Sequence, residues 1–130
     1  MLTNEDCAYA AALVDGEGCI YSVHHHGLCV FVVISMADKG AVEFMEATFG
    51  GVLKRKYPPA YRKSGRQPQW QWKICTKAAR DFLRIIRPWL KIKGPSADAI
   101  LEFEWAPRGS AKNLPVGYKE RQAQLHERLR

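Results

Sequence analysis

At 130 residues and 14.8 kDa the chain has room for one ordinary domain with a single core, not for two. Its composition, 47% hydrophobic and 25% charged, sits near globular averages and excludes disordered, collagen-like and disulfide-scaffold classes. A net charge of +7 and an isoelectric point near 9.4 favour a polyanionic partner, either nucleic acid or an anionic membrane surface.

The basicity is regional. Residues 1–50 carry one base (Lys39) against seven acids, net −6, whereas residues 51–93 carry thirteen bases against one acid (Asp81), net +12. No run approaches the roughly 20 apolar residues of a membrane span. The acidic start, Met1 to Asp6, lacks a signal peptide's charged-then-apolar order, so a soluble intracellular protein with no membrane partner is expected. Cys7, Cys19, Cys29 and Cys75 form no C-x-x-C pair and are read as small apolar core residues rather than a zinc site or disulfides.

In chain order, Thr3 and Asp6 form a capping pair for a helix whose Ala-rich run reaches Val14 and breaks at Gly16 and Gly18. Residues 19–35 are mostly β-branched, aromatic or cysteine and turn near His26-Gly27, which predicts a first hairpin. Consecutive histidines at 24–26 point to opposite faces of a strand, so they read as a polar tip rather than a metal cluster. Asp38 caps a second helix with Val42, Met45 and Phe49 at helical spacing, ended by Gly50-Gly51. Val52 to Tyr57, a polar loop, and the strictly alternating Gln69-Trp70-Gln71-Trp72-Lys73-Ile74 predict a second hairpin. Thr76 then caps a helix with Ala79, Phe82, Leu83, Ile86 and Leu90 on one stripe, which Pro88 kinks or ends. Pro95 and Ser96 open another helix with Ile100 and Phe103 inward, and Tyr118, Gln122, Leu125 and Leu129 mark a last amphipathic one.

This order, αββ-αββ-α-α, predicts an α+β fold: a four-stranded antiparallel sheet with helices on one face and the other face free for a partner. Residues 1–106 are expected to make one domain, with 107–130 adding a linker and an amphipathic helix packed on it. The sharpest local feature is Ala10-Ala11-Ala12-Leu13-Val14-Asp15-Gly16-Glu17-Gly18. Ala12 and Gly16 form a small-x-x-x-small pair that lets two helices approach closely. Glu17 lies at the negative end of the helix dipole, an unfavourable place unless a cation neutralises it. It reads either as a ligand for a hard divalent metal or as a turn residue exposed to water.

The nonapeptide resembles the LAGLIDADG motif of homing endonucleases, matching at Ala11, Leu13, Asp15 and Gly18 with conservative differences at Val14 and Glu17. The element order is similar to that fold, as is Arg87-Pro88-Trp89-Leu90-Lys91-Ile92-Lys93 followed by the helix to Phe103. The resemblance covers residues 4 to about 106. It implies a site-specific double-stranded DNA endonuclease of the single-motif class, using Mg²⁺ (or Mn²⁺) and leaving short 3′ overhangs, located in a bacterial or phage cytoplasm or an organelle. Glu17 corresponds to the family's metal-binding acid, Gly16 offers a supporting carbonyl, Asp15 holds the helix end, and Lys93 aligns with a lysine near the cleavage centre. One motif copy implies a homodimer built on Ala11, Ala12, Asp15 and Gly16, and therefore a nearly palindromic target. The position of a usual polar residue falls on Met36, with Ser35 and Lys39 nearby. That departure keeps open a non-catalytic nucleic-acid-binding protein of the same fold, including a maturase for intron RNA.

For DNA readout, Lys54 and Lys56 share one strand face and Gln69, Gln71 and Lys73 another, with Arg62, Lys63 and Arg66 expected on phosphates. Trp70, Trp72 and Ile74 would then pack on the helices; the competing register puts the tryptophans outward. In the first hairpin, Tyr21, Val23, His25, Phe31, Val33 and Ser35 are expected on the DNA face, where apolar groups suit thymine methyls, while Ile20, Val30, Val32 and Ile34 fill the core.

Overall fold

The computed structural model describes residues 1–24, 27–56, 69–107 and 113–130. Helix α1 (Asn4–Glu17) is capped by Thr3 and Asp6 in the reciprocal arrangement that the sequence predicts. It runs past the expected break and through Gly16, because one solvent-exposed glycine costs a helix only about 1 kcal/mol relative to alanine. Strand β1 (Gly18–His24) follows without a loop, and β2 (Leu28–Met36) returns beside it. Helix α2 (Lys39–Phe49) has Asp38 as its cap, accepting from the Ala41 N–H at 3.2 Å. Strands β3 (Val52–Lys56) and β4 (Gln69–Cys75) make the second hairpin. Helix α3 (Thr76–Ile86) ends in a 3-10 turn, Arg87–Trp89, at Pro88; α4 (Gly94–Glu102) and α5 (Tyr118–Arg128) complete the chain.

The four strands form one antiparallel sheet in the order β1-β2-β4-β3, so each hairpin contributes one central and one edge strand. The helices cover one face. Ile20, Val30, Val32, Ile34, Trp72 and Ile74 are buried against them, which places the tryptophans inward and removes the competing register. Period-two alternation leaves Gln69, Gln71 and Lys73 on the opposite face. Trp72 anchors this packing. It is fully buried, lies edge-on to Phe82 at 5.1 Å, and its Nε1–H donates to the Gly50 carbonyl at 2.7 Å. Gly51, at φ +91°, passes so close that a Cβ there would stand 2.8 Å from Trp72 Nε1.

Two expectations are corrected. Thr76 is not a cap: Cys75 holds that position, and Thr76 is the first helical residue at φ +55°, without a side-chain capping bond. The cause is the absence of a loop between β4 and α3, which forces one residue to reverse the chain in the left-handed region. Of the four cysteines only Cys7 is in the core; Cys19 and Cys75 are exposed and Cys29 half-buried, because all three have the strand parity of the outer face. Phe103, one residue past the end of α4, packs inward against the core as expected, half-buried beside Trp105 and Tyr118. No helix among the described residues is long and apolar enough to cross a membrane.

Trp72→Phe removes the donor to Gly50 and leaves a gap beside Phe82. A loss of about 1–3 kcal/mol is expected in urea unfolding followed by circular dichroism.

Candidate nucleic-acid interface and catalytic end

The end of α1 is held by a segment more than seventy residues away. The Asp15 carboxylate accepts the Lys91 N–H at 2.8 Å and the Lys93 N–H at 2.9 Å, while the Lys93 ammonium donates to the Asp15 backbone carbonyl at 2.8 Å. Partial burial pushes the Asp15 carboxyl upward, but the N–H groups of Lys91, Lys93 and Ile92 and the charge of Lys93 outweigh it and hold the pKa below the usual aspartate value of 3.8. Lys93 thus supplies, from within the chain, part of the positive charge that the dipole of α1 favours at its C-terminus. On the other side of this segment, Arg87 pairs with Asp98 through two bonds, Nε to Oδ1 at 2.5 Å and Nη2 to Oδ2 at 2.8 Å, and Gly94 packs against the guanidinium.

Glu17, two residues beyond Asp15, is exposed at the same helix end, and Gly16 is exposed beside it. Gly18 sets where that end stops. A Cβ there would lie 2.8 Å from the Val14 carbonyl oxygen and 2.9 Å from the Val14 Cα, so only glycine permits the direct passage from α1 into β1. The oxygen donors at this end, a carboxylate and main-chain carbonyls, suit a hard divalent cation. Among the described residues no three His, Cys, Asp or Glu side chains cluster to hold a metal.

The small-residue stripe is narrower than expected. Ala11 is fully buried in the chain's own core, because helical spacing puts it on the side of Ala10 and Val14; it is not available to a second copy. Ala12 and Gly16 are exposed, and nothing lies within 4 Å of a Cβ built on Gly16. Asp15 is half-buried and occupied by the Lys91–Lys93 segment. Met36 is half-buried against the core on the inner face, and Lys39 lies 4.6 Å over the Trp70 ring, so neither stands in for the usual polar residue.

On the outer sheet face, the register places Ser35 opposite Gln71 and Gln71 opposite Lys54, with Lys56 opposite Gln69. Tyr21 pairs with Phe31, and Val23 with Cys29. Val33 faces the same way but is only 9% exposed between Cys19 and Lys73, too little to make it a contact residue. Lys73 folds over the Phe31 ring at 4.4 Å instead of standing free beside Gln71. No local pattern announces that contact, nor the grip of Asp15 on residues 91–93; both join residues far apart in the chain. His25, Arg62, Lys63 and Arg66 lie outside the described residues.

No protein-family model and no curated protein matches this sequence. Among solved structures, the homing endonuclease I-CvuI in complex with its target superimposes with a TM-score of 0.72 at 16% identity, over 98% of this chain and 83% of that one. The same enzyme with the I-CreI target gives equal values. The archaeal intron-encoded homing endonuclease I-Vdi141I, complexed with DNA, gives 0.66 at 13% identity, over 97% and 82%.

Because the Asp15 carboxylate ionises more readily folded than unfolded, its contribution to stability is complete above pH 3.8 and is lost as pH falls through its lower folded value. Asp15→Asn is therefore expected to destabilise the protein at pH 7, and the gap to the wild type should narrow below pH 3.8 in thermal melts. The antiparallel four-stranded sheet, the helices on one of its faces and the structural likeness together give this chain the fold of the LAGLIDADG homing endonucleases.

Proposed function

We propose that the chain is a divalent-metal-dependent, site-specific double-stranded DNA endonuclease acting as a homodimer on a nearly palindromic target. The observation that carries this reading is the convergence of Glu17 and Lys93 on one end of α1, with the Lys93 ammonium bound to the Asp15 carbonyl two residues before Glu17. The outer sheet face, with Ser35, Lys54, Gln69 and Gln71, is suited to base edges in the major groove. The neighbouring structures named above, solved with DNA, support a duplex substrate.

Glu17 and the Gly16 carbonyl would hold the cation (Mg²⁺ or Mn²⁺), and the rest of its oxygen shell would come from scissile phosphates and a second copy of the chain. A bound divalent cation lowers the pKa of an attacking water and stabilises the leaving oxygen. Lys93 contributes positive charge against phosphate at the same place, and Asp15 keeps Lys93 oriented. Two helices α1 meeting along Ala12 and Gly16 would bring two such ends together, one per strand, for a paired cut with short 3′ overhangs.

Incubation with a pool of randomised or intron-insertion duplexes, with Mg²⁺ and with EDTA, tests the reading. Metal-dependent cutting is expected, with Glu17→Gln losing at least a hundredfold in rate, about 2.7 kcal/mol, while binding survives. Duplex binding without any cut under all conditions would instead establish the non-catalytic protein that Met36 favours.

Gly16→Ala tests the pairing. It meets open space within the chain and should stabilise the isolated α1 by roughly 0.5–1 kcal/mol, yet it thickens the helix contact. Sedimentation should give twice 14.8 kDa for the wild type and a smaller fraction of dimer for the variant.

A further inference from the structure

The outer sheet face is chemically divided. Toward one corner it carries Ser35, Lys54, Gln69 and Gln71, all able to hydrogen-bond. Toward the β1–β2 turn it carries Tyr21, Val23 and Phe31. Tyr21 and Phe31 are direct cross-strand neighbours and stack at 5.1 Å with 17° between their planes. Lys73, in line with the hydrogen-bonding corner along β4, has its ammonium 4.4 Å from the Phe31 centroid and 6.0 Å from that of Tyr21. Its charge is stabilised on the Phe31 ring face, with Tyr21 at the limit of reach, so it lies beside the pair instead of reaching past Gln71 to a base edge. Val23 at 45% and Val52 at 53% exposure extend the apolar area to either side.

Phe31 and the valine methyls cannot hydrogen-bond to a base edge, and Tyr21 can do so only through its hydroxyl, not through its ring. The one apolar group that a base pair presents in the major groove is the thymine 5-methyl. We infer, on the strength of the duplex-DNA reading above, that Tyr21 and Phe31, with Lys73 packed against Phe31, are specificity-determining residues that select thymine through its 5-methyl group. Each half-site then has a methyl-read segment beside a hydrogen-bond-read one.

Duplexes selected from a randomised pool in EDTA supply the probe. Replacing each selected thymine in turn by deoxyuridine removes one methyl and nothing else. At one or two positions per half-site, affinity by fluorescence anisotropy should fall about fourfold, the equivalent of burying one methyl. Tyr21→Ala and Phe31→Ala should bind the two duplexes alike, while Gln71→Ala keeps the difference. In the wild type, 5-bromodeoxyuridine at the sensitive positions should photocrosslink to the peptide containing Tyr21 or Phe31. Enriched duplexes with no uridine-sensitive thymine, or crosslinks elsewhere on the chain, would overturn this assignment alone. A pool with no enriched duplex would overturn the endonuclease reading and the thymine selection with it.

Discussion

The Asp15 carboxylate is the point on which the arrangement of the C-terminal end of α1 turns. Two N–H groups from the 91–93 segment converge on it, and the Lys93 ammonium returns to the carbonyl of the same residue. Three hydrogen bonds, each with a charged group at one end, tie the end of α1 to the entry of α4. A helix held in this way cannot slide along the sheet, so the junction at Gly18 and the start of β1 are held with it. Glu17 emerges at this junction, between a clamped helix and a strand.

The clamp also explains how an acidic helix end is tolerated. The first fifty residues carry net negative charge, and α1 ends with Asp15 and Glu17 and no basic residue in its last turn. The missing cation arrives from the strongly basic 51–93 region as Lys93. Arg87, bonded twice to Asp98, braces the other side of the same segment, so the lysine is delivered by a supported loop. The charge asymmetry along the chain is thus partly an internal complementarity, and the remaining basicity lies mainly on the second hairpin and α3.

The sheet separates two tasks by parity alone. Trp72 and its inward neighbours make the core, while residues one position away face the solvent side. Polar side chains gather toward one corner and an aromatic pair toward another, so the outer surface is not uniformly hydrogen-bonding. Lys73 shows the limit of parity: the pattern places it on the right face, but the stacked rings opposite decide what its ammonium touches.

The α+β class, both hairpins, the Thr3 and Asp38 caps, the Pro88 stop and the inward tryptophans were legible in the sequence. Each follows from interactions between residues close in the chain, or from a period of 2 or 3.6 that any core must respect. The tertiary structure alone decided that Ala11 belongs to the core of its own chain, that three cysteines lie on the outer face, and that Thr76 takes a left-handed turn. It also decided that Asp15 grips residues 91–93 and that Lys73 covers Phe31. These depend on which elements abut and how directly they connect, and on contacts between residues as much as 78 positions apart. Local spacing carries no trace of such contacts, because they exist only once the helices have packed on the sheet.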